Sequence, residues 1–583
     1  MSISRSIIKK IAAFLSVLLV FPFVNRKVLY KNLRIAFPDK EYGFYNKIIF
    51  SAVRHFCAVF WDVLLGIESS HISALIQDAA NSSMDVNQNY IIATAHIGNW
   101  EAANLSAGRF FKRYGVIVNE RKSPVLFFIY QQRAMTGAEI YKAGDPAGLR
   151  ALVREMQRGL TAAVVFDHAG RDGVFAQFFS RPAPIPKGLL WLCKKTKTDL
   201  VPCFCIRERG KYRLHVYDKI SYEEGEKEIA KKLNEVLEEE VNSYPEQYLW
   251  SYKRWKYSNQ RDVLVLSDGK KGHEKQSFAL LEYIKRAYPD KDIQINQIVL
   301  RNISWTIKVI GFLPIRFGEY ILKRNGLEPI LRQNADLVVS TGSSLSGLNV
   351  FLKRYNQAKS CVVMSPGMFS PFIDAVLAMR HDRGRGRNCY LIDGALCFFD
   401  EDKAGQFAKE FKLKKDEDNV CVLIGGNTKG YDIHFAGIED MLNTLSNSNK
   451  RVLITTSRRT PADVELLIDK RDFQYKVIAN RYNPEGILDA FFYVSRKAII
   501  TPDSISMISE AINAGLDVGV WAPFLPNRPK FKRFLLQQVS LGKVCLLKTS
   551  GDLKAFLHKP IASEADRSQS SGITAFLRSK ALL

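Results

Sequence analysis

The segment Tyr90-Ile-Ile-Ala-Thr-Ala-His-Ile-Gly-Asn-Trp-Glu101 decides the fold of the first half of the chain. Its apolar run from Tyr90 to Ala95 predicts a buried strand that ends at a sharp Gly-Asn turn. An imidazole at this turn can take a proton from an attacking hydroxyl, and a nearby carboxylate can hold the ring in the required tautomer. His96 is therefore the predicted general base, and Glu101 is its predicted orienting partner. No serine or cysteine lies between them, so the pattern favours acyl transfer to a hydroxyl without a covalent enzyme intermediate.

Two further residues are candidates for the same site. Asp167 follows the apolar run Ala162 to Phe166, and chemistry gathers at the carboxyl edge of parallel α/β sheets. We expect it to support orientation or to contact the acceptor. Arg121 lies at the exit of a second predicted strand. It is a candidate for binding phosphate or polarising a thioester carbonyl, with a simple surface arginine as the alternative.

The first half of the chain resembles the late acyltransferases of lipid A biosynthesis over about residues 1–257. The motifs that carry this resemblance are H-I-G-N-W-E at 96–101, V-N-E-R at 118–121, V-V-F-D-H at 164–168, G-V-F-A-Q-F-F at 173–179 and W-S-Y-K-R-W-K at 250–256. One departure is His168, where many members have glutamine. The resemblance implies a glycerolphosphate-acyltransferase-like α/β domain. It also implies transfer of a fatty acyl chain from acyl carrier protein, or less often coenzyme A, to a lipid A-like acceptor.

The length, charge and cysteine content of the chain limit its possible functions. A chain of 583 residues predicts two or three domains. The net charge of +25 indicates polyanionic partners. We find no zinc-finger spacing, aromatic RNA-binding signature or DNA-reading helix. Anionic membrane lipid, a phosphorylated glycolipid and an acidic carrier protein are therefore favoured over nucleic acid. The nine cysteines are scattered, which predicts free thiols in the cytosol, no disulfide framework and no metal site.

Residues 1–27 are predicted to be a membrane anchor. Basic residues flank the apolar run from Ile11 to Val24, and no small-residue cleavage site follows it. The run is shorter than the ~20 residues of a typical spanning helix, so an interfacial helix and a spanning helix both remain open. A helix packed on the domain core is the alternative. The family resemblance implies the cytoplasmic face of a bacterial inner membrane.

A second α/β region begins near residue 262. Asp262-Val-Leu-Val-Leu-Ser267 predicts a new strand, followed by a glycine loop that opens a helix. Similar strand-to-loop transitions occur after Ile424, Thr456 and Ile500. Such loops offer backbone N–H groups and helix N-termini to phosphates. Farther along, Ile303 to Leu322 predicts an amphipathic element that contacts either a membrane or the core.

The order of these loops resembles a two-lobed GT-B glycosyltransferase, that is, a pair of Rossmann-type domains. More closely, L-S-D-G-K-K-G-H-E at 266–274, M-R-H-D-R at 379–383, I-G-G-N at 424–427 and T-T-S-R-R-T-P at 455–461 resemble one bacterial family. That family is named after a plant mitochondrial fission factor and is thought to be glycosyltransferase-like. The resemblance runs from about 262 to 545. It implies that His273 activates the acceptor or contacts the sugar, and that Glu510 holds ribose hydroxyls. The other residues implied in nucleotide-sugar binding are Gly269, Gly272, Gly425, Gly426, Asn427, Ser457, Arg458, Asp503, Ser504 and Ser506.

These features predict a bifunctional envelope-lipid enzyme. Its predicted parts are the anchor at 1–27, the acyltransferase domain at 28–258, GT-B-like lobes at 262–400 and 401–560, and a fraying tail at 561–583. We expect no bound cofactor or metal, with acyl carrier protein or acyl-coenzyme A and a nucleotide sugar as co-substrates. Two alternatives keep the acyltransferase: the second half is a non-catalytic nucleotide- or lipid-binding module, or the acceptor is a mannoside or an aminolipid. A scaffold of two inactive enzyme folds is a third alternative, and an intact His96 and Glu101 pair disfavours it.

Overall fold

The structure is a computed structural model that describes the chain except residues 1, 68, 83, 119–136, 169, 381–385, 429 and 561–569, and except the side chains of 2–7 and 69. The chain forms two compact units. The first comprises Met1–Arg261 and Lys323–Asn334, and the second comprises Asp262–Leu322 and Ala335–Leu583. The short segment 323–334, which we had placed in the second domain, therefore belongs to the first unit.

The first unit contains one mixed sheet and a hairpin surrounded by helices. Its helices are α1 (Ser2–Val20), α2 (Arg26–Ala36), α3 (Tyr42–Leu65), α4 (Ser69–Ala80), α5 (Trp100–Phe110), α6 (Pro146–Met156), α7 (Lys187–Thr196) and α8 (Glu226–Ser243). Its strands are β1 (Ile91–Thr94), β2 (Tyr114–Val118), β3 (Glu139–Lys142), β4 (Thr161–Val165), β5 (Val174–Phe178), β6 (Arg181–Ile185), β7 (Leu200–Glu208) and β8 (Lys211–Val216).

The main sheet of this unit has the strand order β3-β2-β4-β1-β7-β8, while β5 and β6 form a separate hairpin. The pairings are parallel from β3 to β7, and β8 is antiparallel to β7. The central strand β1 lies between β4 and β7 and is buried along its whole length. Apolar side chains on both faces explain this position, because a parallel strand in the middle of a sheet is covered on both sides.

Helix α1 packs one face on α3 and exposes the other. Ala13 and Val17 are buried, and Trp61 of α3 donates a hydrogen bond to Ser16 Oγ at 2.8 Å. The opposite face carries exposed apolar side chains, among them Phe14, at 61% exposure. Among the described residues, the helix α3 is long and apolar enough to cross a membrane. The helical segments Ile8–Phe23 and Arg26–Ala36 are long and apolar enough only when taken together, and the chain bends by 92° between them.

The second unit contains two mainly parallel sheets in succession. The helices of this part of the chain are α9 (Lys271–Ala287), α10 (Trp305–Val309), α11 (Ile315–Arg324, ending in the first unit), α12 (Glu328–Leu331, which belongs to the first unit), α13 (Ser346–Asn356), α14 (Glu401–Glu410), α15 (Phe435–Ser446), α16 (Ala462–Asp469), α17 (Ile487–Val494), α18 (Ile505–Asn513), α19 (Pro529–Ser540), α20 (Ser550–His558) and α21 (Ser570–Ser579). Its strands are β9 (Gln260–Ser267), β10 (Asp292–Val299), β11 (Leu337–Thr341), β12 (Lys359–Val363), β13 (Ala375–Met379), β14 (Cys389–Ile392), β15 (Asn419–Ile424), β16 (Arg451–Thr456), β17 (Tyr475–Val477), β18 (Lys497–Ile500), β19 (Asp517–Trp521) and β20 (Val544–Leu547).

Both sheets have Rossmann-type strand orders. The first lobe has the order β10-β9-β11-β12-β13-β14, and the second has β17-β16-β15-β18-β19-β20. The second order corresponds to 3-2-1-4-5-6 within its lobe, which is the dinucleotide-fold order. In such sheets ligands bind outside the carboxyl ends of the strands, where the strand order reverses. The reversal lies between β9 and β11 in the first lobe and between β15 and β18 in the second.

The end of the chain is folded, against our expectation of a fraying tail. Helix α21 buries Ile573 and Leu577 in the core of the first lobe. Tyr288 donates a hydrogen bond to the carbonyl of Leu577 at 3.0 Å. The serine-rich composition of 561–583 suggested disorder, but the few apolar residues of α21 recur at helical spacing and complete the apolar core over α9.

Candidate active sites

A histidine and a buried aspartate form a dyad at the carboxyl edge of the first sheet. His96 Nδ1 lies 2.8 Å from Asp167 Oδ1. The backbone N–H of His96 donates to Oδ2 of the same carboxylate at 3.1 Å. Asp167 is 1% exposed, while the side chain of His96 is 18% exposed. With Nδ1 donating to the carboxylate, Nε2 carries no proton in the neutral ring and can act as a base.

The strand register explains why these two residues meet. Thr94 and Val165 are partners at the ends of the parallel strands β1 and β4. His96 and Asp167 each follow two residues later, so both leave the sheet at the same level of adjacent strands. The carboxylate that orients His96 Nδ1 is therefore Asp167, whereas we had assigned that role to Glu101. Glu101 lies in the first turn of α5 and is 7% exposed.

The turn after His96 is held by close packing and by hydrogen bonds. Gly98 has a φ of +63°, and an added Cβ there would lie 1.9 Å from the carbonyl oxygen of Cys205. Asn99 caps α5, since its side-chain oxygen accepts from the N–H of Ala102 at 3.1 Å. His55 Nε2 donates to the carbonyl of Gly98 at 3.1 Å. The H-I-G-N-W-E motif is thus a rigid strand-turn-helix unit that fixes the position of the imidazole.

The charge on Asp167 is stabilised despite its burial. Burial alone raises the pKa of Asp167. The charge and hydrogen bond of His96, together with the nearby His168 and Arg254, outweigh this effect and lower the pKa to about 2. Arg254 itself donates to the backbone carbonyl of Asp167 at 3.0 Å. Asp167 is therefore an anion at neutral pH, and it can stabilise an imidazolium at His96.

Two aromatic rings extend the site beyond the dyad. The ring of His168 stacks on the ring of His96, and their centroids are 4.2 Å apart. The ring centroid of Tyr252 lies 3.7 Å from that of His168. His96, Asp167 and His168 also offer three potential metal-ligand atoms within 4.8 Å of one another. The remaining candidate, Arg121, lies outside the described residues.

Two cavities flank this site within the first unit. One is narrow and apolar, lies between α5 and the sheet, and is lined by Thr94, Trp100, Ala107, Phe110 and Ala163 among others. Trp100 also contacts the ring of His96, with centroids 5.0 Å apart. About 30 Å³ of this cavity is open, so it would have to widen to receive an apolar chain, whose end would then lie beside the base.

The second cavity is a wider cleft between α1 and α3. Its basic lining residues are Lys9, Lys10, Arg54 and Arg207, and its apolar lining residues include Phe14, Val17 and Phe50. His55, which holds the turn after His96, lies at its wall. Asp62 and Glu246 also line the cleft, and Asp62 forms ion pairs with Lys9 and Arg207. Lys10 and Arg54, beside the apolar wall, are therefore the groups that best suit a phosphorylated lipid.

In the second unit, a histidine and an aspartate lie at the reversal point of the first lobe. Asp268 and Gly269 follow β9, and His273 lies in the first turn of α9. His273 Nδ1 lies 3.0 Å from Asp268 Oδ2, and Ser344 after β11 lies 3.4 Å from the same oxygen. Sequence reasoning identified His273 and missed Asp268. Burial raises the pKa of Asp268, but hydrogen bonds from Lys270 and the charge of His273 lower it overall.

The loops of the second lobe converge at its own reversal point. Gly425 and Gly426 follow β15, and Asp503 follows β18. The N–H of Gly426 donates to Asp503 Oδ2 at 3.0 Å, and Thr501 Oγ1 donates to Oδ1 at 2.7 Å. A Cβ on Gly425 would lie 1.9 Å from Asp503 Oδ1. Asp503 thus holds the glycine loop from within.

The other predicted residues of this lobe lie around the same edge. Asn427 accepts from the N–H of Ile433 at 2.8 Å and so braces the loop. Ser457 and the exposed Arg458 follow β16. Ser504 caps α18, and Ser506 is exposed in its first turn. Of the first-lobe glycines, Gly269 has a φ of +75° at the turn after β9, and Gly272 opens α9 beside empty space.

Glu510 of α18 faces the first lobe. Lys275 of α9 donates to Glu510 Oε1 at 3.3 Å, which joins the two lobes of this unit. Burial raises the pKa of Glu510, and Lys275 partly offsets that effect. Lys275 was not identified from the sequence, because nothing in a local pattern shows which helix of the other lobe faces Glu510.

With this geometry established, comparison with known proteins identifies the second unit. The family model described as mitochondrial fission ELM1 matches residues 271–566, a little over half of the chain. The chain belongs to the mitochondrial fission ELM1 family. Residues 1–257 match the model for bacterial lipid A biosynthesis acyltransferases. This ELM1-family protein is therefore an acyltransferase fused to a glycosyltransferase-like domain, in the order that the motifs predicted. The acyltransferase match indicates a membrane-associated bacterial protein.

Individual relatives of this ELM1-family chain are distant. Protein RP120 of Rickettsia prowazekii (strain Madrid E), itself uncharacterised, is 24% identical over 324 residues, which cover 48% of this chain and 88% of the relative. A UDP-N-acetylglucosamine 2-epimerase homologue of Listeria monocytogenes is 12% identical with a TM-score of 0.36, over 55% of this chain and 96% of that structure. MurG of Acinetobacter baumannii is 11% identical with a TM-score of 0.31, over 55% of this chain and 94% of that structure.

Proposed function

We propose that the first unit transfers an acyl chain from acyl carrier protein, or acyl-coenzyme A, to a hydroxyl of a lipid A-like glycolipid. This acyl transfer would take place at the cytoplasmic face of a bacterial inner membrane. The observation that carries this proposal is the dyad of His96 and Asp167, held at the sheet edge of a domain that matches lipid A acyltransferases.

The dyad geometry defines the chemical steps. The acceptor hydroxyl gives its proton to His96 Nε2 while its oxygen attacks the thioester carbonyl, so a C–O bond forms. The C–S bond then breaks, and the imidazolium returns the proton to the departing sulfur. Asp167 stabilises the imidazolium throughout, because its carboxylate is ionised and accepts the Nδ1–H. His96 is consequently the catalytic base, and Asp167 is a positioning residue.

The two cavities support an assignment of donor and acceptor. We assign the acyl chain of the donor to the narrow apolar cavity beside Trp100, which offers apolar walls next to the base and would widen as the chain enters. In the wider cleft, Lys10 and Arg54 suit the phosphates of the acceptor, since Lys9 and Arg207 pair with Asp62. The apolar wall suits the acceptor's chains. The net charge of +25 favours association with an acidic carrier protein and an anionic membrane.

For the second unit we propose glycosyl transfer from a nucleotide sugar to the same or a related lipid. His273 would activate the acceptor with Asp268 as its orienting partner. The loops at Gly426 and Ser504 would meet the diphosphate, with Glu510 on the ribose. Covalent linkage to the acyltransferase raises the effective concentration of a shared acceptor. A non-catalytic nucleotide- or lipid-binding module is the alternative for this unit, and a different glycolipid or aminolipid acceptor is the alternative for the first.

Mass spectrometry of envelope lipids tests both assignments in one experiment. Cells would express the wild type, His96→Ala, His273→Ala or the control His558→Ala, which changes a histidine at the end of α20 away from both sites. We expect an added acyl mass that His96→Ala removes and an added sugar mass that His273→Ala removes. An acyl mass that persists in His96→Ala contradicts the first assignment. An acyl gain with no sugar gain in any strain supports the binding-module alternative.

A further inference from the structure

The first lobe of the second unit exposes an unusual set of aromatic and apolar side chains. They come from α10, α11, the turn between these two helices and the segment between β12 and β13. Their exposed fractions are 73% for Trp305, 49% for Phe312, 52% for Phe317, 55% for Tyr320, 69% for Met368 and 49% for Phe372. Soluble proteins rarely leave such a group of large apolar side chains uncovered unless it binds something. We call this group the aromatic surface.

These side chains project from one side of the lobe, because their segments pack their other side on α13. Ile307 and Ile310 are buried there. The approach is close: a Cβ on Gly347 of α13 would lie 2.0 Å from the carbonyl oxygen of Lys308. Similarly, a Cβ on Gly318 would lie 2.2 Å from the ring of Phe351, also in α13. The segment 305–322 therefore lies flat on α13, and its remaining side chains point away from the core.

The loop after β12 joins the same surface. The ring of Phe312 stacks on Phe369 with centroids 4.4 Å apart and meets the edge of Phe372 at 5.8 Å. Phe317 and Tyr320 stack on one another at 6.4 Å. The exposed rings are thus held in place by neighbouring rings, so the aromatic surface is preformed.

The charges within the aromatic surface are all positive. Lys308 and Arg316 are exposed between the aromatic residues. Glu319 is the single acidic residue from Trp305 to Leu322, and it is buried at 7% exposure. Exposed aromatic residues interleaved with cations are typical of protein surfaces that lie in the interface of an anionic bilayer.

We infer that the aromatic surface inserts into the headgroup region of an anionic membrane. Trp305, Phe312, Phe317 and Tyr320 enter the boundary between headgroups and acyl chains, while Lys308 and Arg316 pair with lipid phosphates. This contact is separate from the one expected of the N-terminal helix α1. It would keep the ligand site of the first lobe at the lipid surface, whether or not that lobe catalyses a sugar transfer.

Depth-dependent quenching on the full-length chain tests this inference. An environment-sensitive fluorophore would be attached at Trp305→Cys or Phe317→Cys, with the labelled wild type as background for its native cysteines. The matched control is Phe278→Cys. Phe278 is also an exposed aromatic residue, at 46%, but it belongs to α9, which packs on the opposite face of the sheet from α13. Vesicles would contain phosphatidylglycerol with phosphatidylcholine, or phosphatidylcholine alone, with spin-labelled lipids as quenchers.

We expect lipids to quench the fluorophore at positions 305 and 317 at least twofold more than at 278, and more in vesicles that contain phosphatidylglycerol. Reversing charge with Lys308→Glu and Arg316→Glu should remove that lipid dependence. Because the readout is depth at one position, binding through α1 cannot produce it. Vesicle-bound protein with no quenching at either position would overturn the inference. So would a fluorescence change that depends on protein concentration without lipid, since it would show that a second copy covers the surface.

Discussion

Oδ1 of Asp167 lies 2.8 Å from Nδ1 of His96, and the other oxygen of the same carboxylate accepts the backbone N–H of His96 at 3.1 Å. One buried anion therefore fixes both the main chain and the ring of the base. The ring cannot rotate away without breaking the hydrogen bond to Nδ1, so Nε2 keeps a constant direction. This arrangement turns a common residue type into a positioned base.

Gly98 makes this arrangement possible, which gives a prediction on stability. In Gly98→Ala the new Cβ would collide with the carbonyl oxygen of Cys205. The alanine would also have to adopt the positive φ of Gly98, which side chains disfavour. We expect a loss of ~3 kcal/mol in the free energy of unfolding, together with loss of acyl transfer. Thermal unfolding of the purified protein would measure the first effect. Gly188→Ala is the control, because that glycine lies in α7 with open space around it. Equal stability of the two variants would contradict the role of Gly98.

The apolar cavity beside His96 predicts the acyl-chain preference. Ala107→Phe fills part of the cavity and should shift transfer toward shorter chains, whereas Phe110→Ala enlarges it and should shift transfer toward longer ones. Competition between donors of different chain length, read by mass spectrometry of the acylated acceptor, would measure both shifts. Opposite shifts support the assignment. If both variants keep the wild-type preference, the acyl chain binds elsewhere.

The low pKa of Asp167 predicts a dependence of stability on pH. Its pKa falls from 3.8 to about 2 on folding, which corresponds to roughly 2 kcal/mol of stabilisation. A carboxyl group with a lowered pKa stabilises the fold above its ordinary pKa, and the effect is lost as the pH falls toward 2. The difference in melting temperature between the wild type and Asp167→Asn should thus shrink from about pH 4 downward. A difference that is unchanged down to pH 2.5 would show that Asp167 is not held as an anion.

The strands and the base of the first unit could be predicted from sequence, but the partner of the base could not. Alternation and apolar runs identified β1 and β4, and the turn identified His96. Pairing His96 with Asp167 requires knowing that β4, and not β2, adjoins β1. That depends on how the crossovers pack. The same limit explains why Asp268 and Lys275 of the second unit were not identified from the sequence. It also explains α21, whose apolar residues gain a partner only once α9 is in place.

Glu510 provides a prediction for the second unit. If it holds the ribose of a nucleotide sugar, Glu510→Gln should weaken nucleotide binding by about tenfold, since a charge-assisted hydrogen bond is lost. Isothermal titration calorimetry with a panel of nucleoside diphosphates would measure the affinity of the wild type and of the variant. Glu485→Gln is a suitable control, because Glu485 is exposed and belongs to the same lobe. An unchanged affinity in Glu510→Gln would assign the residue to its ion pair with Lys275 alone.

The central claim is that the dyad of His96 and Asp167 moves an acyl group, and single-turnover acyl transfer by the purified full-length protein tests it most directly. Labelled acyl carrier protein would be the donor, and a lipid A precursor would be the acceptor. We predict that His96→Gln and Asp167→Asn each lower the rate by about 10³- to 10⁴-fold, and that Glu101→Gln lowers it less than Asp167→Asn. A wild-type rate in either His96→Gln or Asp167→Asn would contradict the account.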